Sequence, residues 1–129
     1  MSISAIMEKL GHSGRRIDML KIDIEGADWV ALSDVFRDIS KGHMRVDQIQ
    51  VELHGSDIAT INNLFELADD AKMRVMHKER NGWGCDGKHC LEYSFVSEHF
   101  LRKHHKYILC NGMGEEESER NTKQETRLF

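Results

Sequence analysis

IDMLKIDIEG, residues 17–26, and VDQIQVELHG, residues 46–55, decide the fold. In the first, the apolar run from Ile17 to Ile24 is broken only by Asp18, Lys21 and Asp23 and stops at Gly26, the pattern of a buried strand. In the second, Ile49, Val51 and Leu53 alternate with Gln48, Gln50 and Glu52, a two-residue period that predicts a strand ending near Gly55. Between them Trp29, Leu32, Val35, Phe36 and Ile39 fall on one helical face, and Lys41 and Gly42 end that helix. Working outward, Ile3, Ile6, Met7 and Leu10 repeat at three and four residues, with Ser2 or Ser4 able to cap and Gly11 following. Downstream, Ser56 or Asp57 caps a helix whose apolar stripe is Ile58, Ile61, Leu64, Phe65 and Ala68. Helix, strand, helix, strand, helix with short connections implies parallel strands joined by right-handed crossovers between helical layers. MRVMHKER at 73–80 and LEYSFVSE at 91–98, joined by NGWGCDGKHC, then read as two antiparallel edge strands. The fold class is α/β, the C-terminal half of a doubly wound sheet.

The 129 residues, 40% hydrophobic and 31% charged, suffice for one core and one domain. We expect that domain over 1–110 and a disordered polar tail over 111–129, because NGMGEEESERNTKQETRLF has almost no apolar residues before its last two. A formal net charge of -4 argues against a nucleic-acid partner, which requires a basic face. No stretch reaches the roughly 20 apolar residues of a membrane helix, and MSISAIMEKLGHSGRR lacks the pattern of a signal peptide. Three cysteines are too few for a disulfide scaffold, so a reducing, cytoplasmic compartment is the default expectation.

In open α/β sheets ligands bind beyond the carboxyl ends of the parallel strands. The first strand delivers Asp23 and Glu25 there, on one side of the pleat while the chain stays extended, and the second delivers Glu52 and His54. Such a cluster can hold a divalent cation or supply a general base. It is also open to a structural reading, in which Glu25 caps the following helix and His54 is a half-buried imidazole bonded to backbone. Lys21 and Asp23, like Gln48, Gln50 and Glu52, make one sheet face polar, as expected if that face meets polar partners or is exposed. Cys85, His89 and Cys90 lack a second ligand pair, so we read a loop with free thiols in preference to a zinc site and expect no metal. Trp83 packs under that loop or covers a ligand. RKHHKY at 102–107 reads as a solvated face, with an anionic surface as the alternative. No Gly-rich turn of the nucleotide-cradling kind follows a strand anywhere upstream of the first helix.

LKIDIEGADWVAL, at 20–32, and IQVELHG, at 49–55, resemble the central motifs of the FkbM-related methyltransferases, which include the methyltransferase-like proteins. SISAIMEKLGH looks like the helix preceding that strand in the family, and HKERN with CLEYSFV like its closing strand pair, so the resemblance covers most of residues 3–97. It implies the C-terminal half of a Rossmann-like (class I) methyltransferase sheet. It also implies S-adenosylmethionine as donor and an oxygen nucleophile on a small-molecule or sugar methyl acceptor. By position Asp23, Glu25 and Gly26 match the end of the family's fourth strand, and Glu52 and His54 the end of its fifth. Asp23 is then the first candidate to orient or deprotonate an acceptor hydroxyl, with Glu25, Glu52 and His54 as alternatives or supports. The family's donor-holding glycine turn and acidic residue have no counterpart here. The expectation is therefore a methyltransferase fragment that binds its cofactor poorly alone. Two other classes compete: a non-catalytic interaction module, forming a homodimer through an exposed sheet edge, and a small metal-dependent hydrolase built on Asp23, Glu25, Glu52 and His54.

Overall fold

The computed structural model describes residues 2–81 and 90–104. Seven elements follow one another: α1 (Ile3–Lys9), β1 (Arg16–Ile22), α2 (Asp28–Ser40), β2 (Arg45–His54), α3 (Ile58–Asp70), β3 (Met73–Arg80) and β4 (Cys90–Ser97). The chain divides into two units, Met1–Glu98 and His99–Phe129. Residues 99–104, the described part of the second unit, are helical. The expected tail at 111–129, Trp83, Cys85 and His89 lie outside the described residues. Among the described residues no helix is long and apolar enough to cross a membrane.

The sheet of the first unit runs β1-β2-β4-β3, with β1 parallel to β2 and β4 antiparallel to both β2 and β3. The two late strands do pair with each other, but β4 inserts beside β2 and leaves β3 at the edge. Burial explains the order. Phe95 and Val96 of β4 are 0% and 2% exposed, whereas every residue of β3 after Met73 is exposed.

Alternation along β2 sets which face is dry. Ile49, Val51 and Leu53 are buried and join one core cluster with Leu32, Val35 and Phe36 of α2 and Leu64 and Ala68 of α3. Gln48, Gln50 and Glu52 point to the opposite face and are half-buried or exposed. α2 and α3 also touch each other, so among the described residues they form one helical layer over one face. Phe36 meets Phe95 edge to face, ring centroids 5.3 Å apart. One member of the predicted α3 stripe is elsewhere: Ile58, in the first turn, is 76% exposed.

Two predicted features change at the first strand and at the cysteines. β1 ends at Ile22, so Asp23 and Glu25 do not share a pleat; Glu25 has φ 51 and Gly26 φ 91, a left-handed pair that turns the chain toward α2. Cys90 is disulfide-bonded, its partner lying outside the described residues, so it is not the free thiol predicted for that loop.

Asp57 caps α3, its Oδ1 accepting from the Thr60 N–H at 2.9 Å and its Oδ2 from the Thr60 hydroxyl at 2.8 Å. The Thr60 backbone bond first, then the hydroxyl, hold this carboxyl below its ordinary value of 3.8. A depressed folded-state value gives stability that is present above about pH 3.8 and lost as pH falls through the folded value. Asp57→Asn keeps an acceptor and is expected to melt near the parent at pH 7, while losing the parent's acid-dependent part. Asp57→Ala is expected to melt lower at pH 7. Thermal melts of all three at pH 7 and pH 3 check this, and an Asn variant as weak as Ala at pH 7 would remove the cap from the account.

Candidate active site

The carboxyl end of β2 is tied to the start of α2 by one carboxylate. Asp28, 0% exposed, accepts from the Gly26 N–H at 2.6 Å through Oδ1 and from the His54 N–H at 3.0 Å through Oδ2. Its Oδ1 also lies 3.3 Å from His54 Nδ1. A carboxylate oxygen has no proton to give, so against an ionised Asp28 it is Nδ1 that donates, and Nε2 is the ring nitrogen left to face the site. The α2 N-cap position is Ala27, which supplies no side-chain bond. Asp28 satisfies the turn from inside the helix, and Glu25 does not cap it. Trp29 completes the tie, its indole Nε1–H donating to the His54 carbonyl at 2.6 Å.

Glu25 reaches the other side of the imidazole, with Oε2 3.4 Å from Nε2. Its side chain is 88% exposed against 17% for His54, so the pair is solvent-screened and contributes little to stability. Glu52 accepts from the Asn81 side-chain amide at 2.7 Å. Glu52, His54 and Cys90 each bring a potential ligand atom within 4.8 Å of the others. The Cys90 disulfide withdraws the thiolate from that set, leaving one carboxylate and one imidazole for a cation. Asp23 is exposed and enters no hydrogen bond or ion pair among the described residues.

Of the four residues predicted from sequence, His54 thus stands between Glu25 and the newly found Asp28, Glu52 lies alongside, and Asp23 stays apart. Helical spacing sets Asp28 off the apolar face of α2, where an acid is expected in water, yet it is fully buried. The spacing of EGAD, with a left-handed pair ahead of the helix, was its only signal.

Beside His54 opens a pocket of about 490 Å³, lined among others by Trp29, Phe65, Tyr93, Lys78 and Arg80. Its size is that of a small-molecule site.

A mixed α/β sheet with an acid–imidazole cluster and a pocket at the carboxyl end of a parallel strand defines an enzyme-like α/β domain. The chain belongs to a methyltransferase family: the family model described as "Methyltransferase domain" matches residues 1–97. No match was found among curated proteins or among solved structures.

Proposed function

We propose that this chain is an S-adenosylmethionine-dependent O-methyltransferase domain of the FkbM-related type, with His54 as the base that receives the acceptor's hydroxyl proton. The observation that carries the reading is the buried Asp28 carboxylate holding His54 Nδ1 in a domain of a methyltransferase family. The acceptor is a small molecule or a sugar.

The pocket beside His54 does not fit the donor. The pocket beside His54 is lined by two cations, Lys78 and Arg80, and by no carboxylate, which opposes a sulfonium and an ammonium and leaves ribose hydroxyls without an acidic partner. That lining offers no seat for the donor, which when bound would supply an electrophilic methyl group. The roles assigned to this chain lie on the acceptor's side. Nε2 of His54 takes up a proton, Asp28 fixes the ring's orientation and tautomer, and Glu25 favours the imidazolium that results. Glu52, steadied by Asn81, and Asp23 are the carboxylates available to orient further acceptor hydroxyls.

The test pairs calorimetric titration of the folded protein with S-adenosylhomocysteine and transfer of labelled methyl groups from S-adenosylmethionine to a panel of hydroxyl acceptors. Transfer that disappears in His54→Gln supports the reading, and transfer unchanged in that variant removes His54 as the base. Neither binding nor transfer would favour a second reading, an interaction module forming a homodimer. One observation favours that alternative: among the described residues β1 pairs only with β2, so its other side offers open backbone groups.

A further inference from the structure

Lys78 and Arg80 stand two residues apart on β3, hence on one side of the pleat, opposite Tyr93 and Leu91 of β4. All four line the pocket beside His54. Lys78 Nζ lies 5.7 Å from the centroid of the Tyr93 ring. Glu79, between the two cations, belongs to the other face, where it stands opposite Glu92, which in turn stands opposite Glu52. At this end of the sheet Lys78 and Arg80 thus face the side opposite Glu79, Glu92 and Glu52. Among the described residues neither Lys78 nor Arg80 forms an ion pair with a carboxylate.

A lone surface lysine needs no explanation. Here two cations, without acidic partners among the described residues, converge on a space walled by Trp29, Phe65 and Tyr93, at whose rim β2 ends with His54. Cations in that setting attract an anion, and the rings offer flat apolar faces to a ring-shaped body.

We infer that the pocket binds a ring-bearing organic anion, its carboxylate or phosphate held by Lys78 and Arg80 and its ring lying against Trp29, Phe65 and Tyr93. The same molecule presents a hydroxyl to His54. That last assignment, which makes the anion the methyl acceptor, rests on the methyltransferase reading; the binding chemistry does not.

The test is an NMR titration of the full chain with 4-hydroxybenzoate against its neutral counterpart 4-hydroxybenzamide, and with glucuronate against glucuronamide. The Trp29 indole N–H, one of two such groups in the protein, reports from the pocket wall. Glucose 6-phosphate, as a third arm, separates phosphate from carboxylate. The expected result is at least one anion bound about tenfold more tightly than its neutral counterpart, the order expected of a charge-assisted bond. Salt should weaken it, and Lys78→Gln/Arg80→Gln should abolish the preference. Both positions are exposed, so the double variant is expected to fold. Equal affinity for the neutral compounds, a preference that survives the double variant, or no perturbation of Trp29 by any compound at about 10 mM overturns the inference. Charge-selective binding without methyl transfer would leave the pocket assignment standing and count against the methyltransferase reading alone.

Discussion

His54→Gln is expected to lower the rate of methyl transfer by about 10²–10⁴-fold, the usual contribution of a positioned general base. Glutamine keeps much of the volume and a polar end but cannot take up a proton at neutral pH. Asp28→Asn is the companion change. It keeps the shape but replaces one acceptor oxygen with an amide that donates, so at least one of the Gly26 N–H, the His54 N–H and His54 Nδ1 loses its partner. Leaving a buried donor unpaired costs about 1–3 kcal/mol, and the imidazole loses the contact that sets its tautomer. Asp28→Asn is therefore expected to lower stability and rate together, His54→Gln chiefly rate. Urea denaturation separates the two effects, and ¹⁵N shifts of the His54 ring report the tautomer whether or not transfer is measured. The Nδ1-protonated form is expected in the parent. Finding the Nε2-protonated form, or more than about a tenth of the parent rate in His54→Gln, would remove the base from the mechanism.

Phe95→Ala is expected to destabilise the protein by about 3–5 kcal/mol, against a total of about 5–15 kcal/mol for a typical domain. Phe95 is fully buried where the sheet's central strand pair meets both helices. It stands opposite Ile49 on β2 and Val75 on β3, with the rings of Phe36 and Phe65 at 5.3 and 6.1 Å. Alanine would leave a cavity that strands pinned on both sides cannot close. Urea denaturation followed by circular dichroism measures the loss. A value below about 1 kcal/mol would mean that the core relaxes around the missing ring.

The elements were largely legible because each announces itself through a local period. β2 alternates cleanly, and Leu32, Val35 and Phe36 on α2 repeat at helical spacing; all prove buried as that spacing predicts. Ile58 misled because it continues the helical period of α3 from a first turn whose apolar side chain the core leaves 76% exposed. The end of β1 misled for a different reason. IDIEG reads as extended by composition, but Glu25 and Gly26 adopt positive φ, and nothing in the apolar pattern records a reversal of the backbone.

The candidate site divides along the same line. His54 and Glu52 could be placed from sequence, since a strand's end and its pleat are one-dimensional properties. Asp28 could not, because its role depends on a partner 26 positions away that reaches it only when β2 lies beside β1 and α2 packs across their ends. Lys78 and Arg80 read as ordinary edge charges until β4 inserts between β2 and β3 and sets them opposite Tyr93 and Leu91, over the same pocket as His54. By itself, the sequence determined which segments become strands and helices and which strand ends carry acids and an imidazole, because periodicity and turn chemistry act between near neighbours. Strand order, the imidazole's carboxylate partner and the gathering of cations and rings around one pocket were decided only by the tertiary structure, because they depend on which distant segments pack together.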